Sequence, residues 1–285
     1  MKQLTIISGK GGTGKTTLVA AFASLAENCI MADCDVDAPD LHIILKPEVK
    51  EKEIFTGSKI ASKDDSKCNE CGKCEEFCRF DAIKNLKIQS SKCEGCGLCV
   101  YICPKNAINL ENREKGYLYT SKTRFGPLVH AELNMGEGAS GKLVSFVRGK
   151  AATLAENLHK DLIIVDGSPG IGCPVIASIT GIDMALIVTE PTISGLHDFY
   201  RILKVTRHFN VFPTLCINKH DINLENSKKI EEYCSNNNIP ILGKIPYDED
   251  IIKAMLERKN VIEYSPDGKA STEIKKIWKR INYLL

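Results

Sequence analysis

Residues 9 to 16 read Gly9, Lys10, Gly11, Gly12, Thr13, Gly14, Lys15, Thr16, a complete G-x-x-x-x-G-K-T. It follows an apolar run at Leu4 to Ile7 and leads into a helix-forming stretch, Thr16 to Ala26. A glycine loop between strand and helix binds phosphate for a physical reason. Glycines let the backbone curl until successive amides face the phosphate oxygens, and the helix that starts there adds its positive end. Lys15 is placed to neutralise the β and γ phosphates, Thr16 to put its hydroxyl on Mg2+, and Thr17 to reach the α-phosphate. The short apolar stretch Cys29 to Ala32 completes a βαβ opening.

Further buried-strand candidates are Leu162 to Val165, Ala185 to Val188 and Thr214 to Ile217. Helical stretches separate them, around Leu143 to Leu158, Leu196 to Phe209 and Asn226 to Asn236. Strands alternating with helices imply an α/β fold with a mostly parallel sheet covered on both faces. Ser140-Gly141-Lys142 imitates part of a phosphate loop but lacks the glycines before it, and reads as a helix start.

The alternation breaks between about Ser58 and Leu110, where lysine, cysteine and glycine dominate and no long helix or strand fits. The segment repeats itself: CNECGKCEEFCRFDAIKNL is followed by CEGCGLCVYICPKNAINL, as expected of a duplicated unit. The expected organisation is residues 1–60 and 111–285 as one α/β domain, with residues 61–110 inserted as a small α+β module.

Of thirteen cysteines, eight fall in this segment. Cys68, Cys71, Cys74 and Cys78 form C-x2-C-x2-C-x3-C; Cys93, Cys96, Cys99 and Cys103 repeat it and are followed by Pro104. Such spacing is that of thiolates wrapped around the corners of an iron-sulfur cubane. A zinc ribbon would use paired C-x2-C units and leave cysteines over. Gly72, Gly95 and Gly97 would bring backbone amides close to the sulfurs, where hydrogen bonds tune potential. The scattered Cys29, Cys34, Cys216 and Cys234 sit in apolar or helical surroundings and read as inert buried thiols.

Apolar residues make up 43% of the 285 and charged residues 26%, with a formal net charge of +2. That charge leaves no electrostatic footprint for nucleic acid. No apolar run approaches membrane-spanning length, and the start runs straight into the phosphate loop, so a cytoplasmic location is expected.

The stretch K-G-G-T-G-K-T-T resembles the deviant Walker A of the MinD, ParA and nitrogenase iron protein superfamily. The likeness continues through ADCDVDAPD, similar to the family's switch I, and through Asp166 in LIIVDGSPG, similar to Walker B and switch II. TEPTISGLHD, Asn218-Lys219 and Ile245-Pro246-Tyr247-Asp248 follow in the family's order. The resemblance implies a P-loop ATPase that is slow without a partner and closes into a homodimer around ATP, with Lys10 reaching the partner subunit's phosphates. It implies Asp35 as the water-orienting carboxylate and Asp33, Asp35, Asp166 and Thr16 around Mg2+. Gly11, Gly12, Thr13, Gly14, Lys15, Thr16, Thr17, Asn218, Pro246 and Asp248 are then the nucleotide-binding set, Asn218 in the adenine-reading place.

The cysteine segment resembles a bacterial ferredoxin with two 4Fe-4S clusters, in which the fourth cysteine of each motif ligates the other cluster. By that resemblance Cys68, Cys71, Cys74 and Cys103 hold one cluster and Cys93, Cys96, Cys99 and Cys78 the other. Arg79 replaces the usual proline after Cys78. The combination resembles a MinD-superfamily ATPase with an inserted ferredoxin module. The function expected from it is nucleotide-dependent dimer closure coupled to electron transfer. The alternatives are a carrier that delivers clusters to an apoprotein, or a MinD/ParA-like positioning ATPase with a redox sensor.

Cys173 directly precedes Pro174 at an expected helix start, seven residues after Asp166, and is a candidate thiol at the dimer interface. The C-terminal stretch TEIKKIWKRINYLL places Ile274, Ile277, Trp278, Ile281 and Leu285 on one face and its basic residues elsewhere. Packing onto the α/β core is the expectation; a basic amphipathic membrane helix, as in MinD, is the alternative.

Overall fold

A computed structural model describes the chain except Gly136, Ala139 and Ser140. Ser140 of the partial phosphate-loop likeness therefore lies outside the described residues, and Gly141 and Lys142 open a helix. The chain forms two compact units. The first comprises Met1–Glu53, Leu118–Glu132 and Ala139–Leu285; the second comprises Ile54–Tyr117 and Leu133–Gly138.

The sheet contains β1 (Lys2–Ser8), β2 (Cys29–Asp33), β3 (Glu48–Lys63), β6 (Ile108–Thr123), β7 (Gly126–Leu133), β8 (Leu162–Pro169), β9 (Met184–Thr189), β10 (Phe212–Asn218) and β11 (Ile241–Ile245). β4 (Ile83–Lys84) and β5 (Lys87–Ile88) form a separate antiparallel pair in the second unit. Sheet order is β11-β10-β9-β1-β8-β2-β7-β6-β3. Every pairing from β11 across to β7 is parallel.

Central strands in such a sheet are covered on both faces, so they are apolar nearly throughout and their side chains alternate between two cores. In β1, Leu4 and Ile6 enter one core and Ile7 the other; in β9, Met184, Leu186 and Val188 face the first while Ala185 and Ile187 face the second. The first core is closed by α1 (Lys15–Leu25), α2 (Leu41–Leu45), α10 (Val261–Tyr264) and α11 (Lys269–Leu284). The second is closed by α6 (Cys173–Ile179), α7 (Ile193–His208) and α8 (Leu224–Asn236). Helix α5 (Gly141–Asn157) packs against α6 and β2, and α9 (Glu249–Leu256) against α10. Two short helices, α3 (Lys73–Glu76) and α4 (Leu98–Tyr101), lie in the second unit.

Helix α11 buries Ile274, Ile277, Trp278 and Ile281, and the Trp278 ring stacks on Phe22 of α1 with centroids 5.2 Å apart. Its apolar face is spent on the core, as the packing reading expected. No helix of the described residues is long and apolar enough to cross a membrane.

Two expectations are corrected. Long strands do fit at the flanks of the cysteine segment: β3 reaches Lys63 and β6 starts at Ile108. Their sequences, EVKEKEIFTGSKIASK and INLENREKGYLYTSKT, are charged and mostly not fully buried, so they carry no apolar run to betray them. The strand expected at Leu162 to Val165 also runs on past Asp166. β8 continues to Pro169, pairing with Ser8 after a register shift between Ile6 and Ser8.

Candidate functional site: a phosphate cradle and two cysteine cavities

Parallel strands bring their carboxyl ends to one edge, and ligands of α/β proteins bind in the crevice there. In the first unit this edge holds a cavity of about 430 Å³. Its floor is the loop after β1, where Gly12 (φ 78°) and Gly14 (φ 95°) take left-handed conformations that favour glycine. A Cβ on Gly14 would also meet the Asn218 amide at 2.5 Å. Gly11, Gly12, Gly14, Lys15, Thr16 and Thr17 line the floor. α1 begins at Lys15, so its unpaired amides point into the cavity.

Three carboxylates cluster beside the loop, and of these Asp35 lines the cavity. Asp33 at the end of β2 and Asp166 in β8 are register partners and both are fully buried. Asp35 lies 3.8 Å from the Lys15 ammonium, itself 4% exposed. Burial raises the pKa of Asp166 to about 7, although Lys15 pulls the other way, and neighbouring Asp35 adds to the rise. Burial, then the charge of Asp166, pushes Asp33 well above the usual carboxylate range, and burial raises Asp35 as well. Asp33 Oδ2, both Asp166 oxygens and the Thr13 hydroxyl are buried without a hydrogen-bond partner. Buried acceptors in that state are costly unless a ligand satisfies them. A divalent cation with phosphate oxygens fits the donor set: hard carboxylate and hydroxyl oxygens beside a lysine. Thr16 and Asp35 line the cavity and would face the cation, with Asp33 and Asp166 behind them, and Lys15 with the loop amides would face the phosphates.

The opposite wall is apolar. Tyr247, Ile251, Ile252 and Met255 come from the loop after β11 and from α9. Sequence reasoning did not single them out, although Ile252 and Met255 are 52% and 44% exposed, and exposed apolar side chains spaced along the short helix EDIIKAML were the available signal.

Other nominated residues are placed as follows. Lys10 is exposed and does not line the cavity. Asn218 and Pro246 line it, but the Asn218 amide donates to the Thr13 carbonyl at 2.8 Å and its oxygen accepts from Lys219 N, so its polar ends are engaged in holding the loop. Asp248 is likewise committed. Its carboxylate accepts from Asp250 N at 3.0 Å, capping α9, and from Ala270 N at 3.1 Å, anchoring the start of α11. That is a cap by composition and position, and Asp248 also lines the cavity. Cys173 is exposed at the first residue of α6, after Gly172. Cys29 is raised to about 11, and Cys216 and Cys234 to about 12, by burial; burial also pushes Cys34 well above the usual thiol range, as for inert core thiols.

In the second unit two cavities are lined by cysteine. Cys68, Cys71, Cys74 and Cys103 surround one; Cys93, Cys96, Cys99 and Cys78 surround the other. Gly72 and Gly97, both left-handed, open α3 and α4 at equivalent points of the two motifs. Gly95 (φ 65°) lies so close to strand β3 that a Cβ would sit 2.1 Å from the Lys59 carbonyl. Backbone amides reach the sulfurs: Glu70 N donates to Cys68 at 3.4 Å, Ala107 N to Cys103 at 3.3 Å and Ala61 N to Cys93 at 3.5 Å. Among the described residues no three His, Cys, Asp or Glu side chains are grouped closely enough to hold a single metal ion.

The profile of the CobQ/CobB/MinD/ParA nucleotide-binding domain matches residues 4–261. The chain belongs to this MinD/ParA family. An uncharacterized protein of Methanocaldococcus jannaschii is 35% identical over 98% of this chain and 96% of its own length. The septum site-determining protein MinD of Bacillus subtilis is 29% identical over 42% of this chain and 47% of its own. Among solved structures, MinD of Pyrococcus horikoshii complexed with Mg-ADP superposes with a TM-score of 0.63 at 18% identity, covering 99% of this chain and 96% of that one. At that identity the likeness shows the fold alone: the α/β, mostly parallel P-loop fold of MinD. Members of the MinD/ParA family bind nucleotide through this domain, and the cavity described above occupies its phosphate loop.

Proposed function

We propose that this chain is an ATP-dependent switch ATPase of MinD/ParA type whose second unit carries two 4Fe-4S clusters. Nucleotide state governs association of two copies, and the clusters make the molecule a redox partner. The switch has the broader support: the family match, the cradle, and the orphaned carboxylates that Mg2+ with a nucleotide would satisfy. In hydrolysis Asp35 would orient the attacking water while Lys15 and the loop amides hold the charge that develops on the transferred phosphoryl group. Lys10, exposed at the mouth of the loop, is free to reach phosphates bound by a second copy.

The redox reading rests on the cysteines alone, and one observation carries it: the interleaved lining of the two cavities. Each takes three cysteines from one motif and the fourth from the other, which is how a two-cluster ferredoxin ligates its cubanes. Sulfurs set around a cavity wall suit a polynuclear cluster, whereas a single zinc ion needs its ligands converged at about 2.3 Å. Such clusters, when bound, transfer single electrons. The MinD proteins it resembles are named for septum placement, so a positioning ATPase with a redox sensor is the second reading. It loses its membrane arm because the apolar face of α11 is already buried. A carrier that delivers clusters is distinguished by whether iron leaves the holoprotein for an apo-acceptor.

Anaerobic purification followed by iron and sulfide analysis, then size-exclusion with ATP and with ADP, tests the whole. The expected result is about eight irons per chain and a dimer with ATP only. Far less iron sinks the cluster reading; a monomer in ATP sinks the switch.

A further inference from the structure

The two cysteine cavities are related by an internal repeat, yet their walls carry opposite charge. Strand β3 supplies one residue to each from the same face, since positions two apart on a strand point the same way. Ala61 lines the cavity of Cys78, Cys93, Cys96 and Cys99; Lys63 lines the cavity of Cys68, Cys71, Cys74 and Cys103. The first cavity is otherwise walled by Phe77, Phe80, Ala82, Ile83 and Leu98, and its charged lining residue is Glu94. The second has Lys73 beside Lys63 and no carboxylate in its lining. The Lys63 side chain is 17% exposed, while its counterion Asp65, 2.8 Å away, is 86% exposed and so is screened by water.

Resting on the cluster reading above, we propose that the two centres are electronically unequal, that the one held by Cys68, Cys71, Cys74 and Cys103 is reduced first, and that Lys63 sets the order. On reduction each centre gains one electron from the donor and its site gains one negative charge, with no bond made or broken. A half-buried cation lowers the energy of that added charge, and an apolar wall with a carboxylate raises it. Lys63 is a positioning residue for charge and need not touch iron.

The test is an anaerobic potentiometric titration of the whole protein with dithionite as donor, followed by electron paramagnetic resonance. Lys63→Gln is expected to move the higher-potential wave down and leave the lower one in place. Lys63→Arg retains the wild-type positions, and Glu94→Lys, at an exposed site, moves the lower wave up. A Lys63→Gln protein whose waves are both unmoved, or whose lower wave alone shifts, overturns the proposal. Glu94→Lys that leaves the lower wave in place overturns it as well. Iron far below about eight per chain, measured before any titration, instead overturns the cluster reading on which it rests.

Discussion

Replacing Asp166 by asparagine asks whether the buried carboxylates are built for a cation and against the empty fold. Asp166 is fully buried and its pKa is raised from 3.8 to about 7, chiefly by burial. In the unfolded chain it titrates near about 3.9. Below about pH 4 both states hold the proton and the residue costs the fold nothing. Between there and pH 7 the native state keeps a proton that the unfolded chain releases, so stability falls as pH rises; above pH 7 the loss is constant. At about 1.4 kcal/mol per unit the full cost is roughly 4 kcal/mol. Asparagine keeps the shape without the charge. In EDTA and without nucleotide at pH 8, Asp166→Asn is therefore expected to unfold at higher urea than wild type, the gap closing as pH falls toward 4. Mg-ADP reverses the ranking, because it stabilises wild type in proportion to binding and the variant has lost a negative charge near the cation. Trp278 is the one tryptophan and stacks on Phe22, so its fluorescence reports on the unit that contains Asp166. A variant less stable than wild type at every pH in EDTA, or a gap that ignores pH, would refute the reasoning.

Trp278→Ala removes a buried ring stacked on α1 and is expected to lower stability by about 3–5 kcal/mol in urea unfolding, while liposome co-sedimentation stays absent for both proteins. Lys10→Ala is expected to keep nucleotide affinity in titration calorimetry yet lose ATP-dependent dimerisation in size-exclusion chromatography, since the side chain lies outside its own cavity. Cys78→Ser is expected to impair the centre of Cys93, Cys96 and Cys99, and Cys103→Ser that of Cys68, Cys71 and Cys74. Loss of the signal from the same motif instead would contradict the interleaved lining. Gly243→Ala places a Cβ 2.4 Å from Ile277 Cγ1, and overpacking of this kind costs about 1–3 kcal/mol, read as a lower thermal midpoint.

Much of the first unit was legible because its central strands are buried on both faces and therefore continuously apolar. β1, β2, β8, β9 and β10 each announce themselves that way. The edge strands did not, because a residue that faces water on one side and a charged neighbour on the other leaves no pattern in composition. The phosphate-loop residues and the eight cysteines were legible by spacing. Asp248 shows what spacing leaves open: an aspartate before a helix serves as a cap, as a ligand or as both, and its contact with Ala270 N, from far along the chain, is visible only in the tertiary structure.

Local chemistry set in the order of residues thus specified the phosphate cradle and the two cysteine motifs, because glycine conformations and short-range spacings need no distant partner to be specified. Tertiary structure alone decided which acids lost their water, what covers Trp278, and that one strand face gives an alanine to one cysteine cavity and a lysine to the other. Those outcomes depend on burial and long-range pairing, because burial removes the water that would otherwise screen a charge and favour the ionised form.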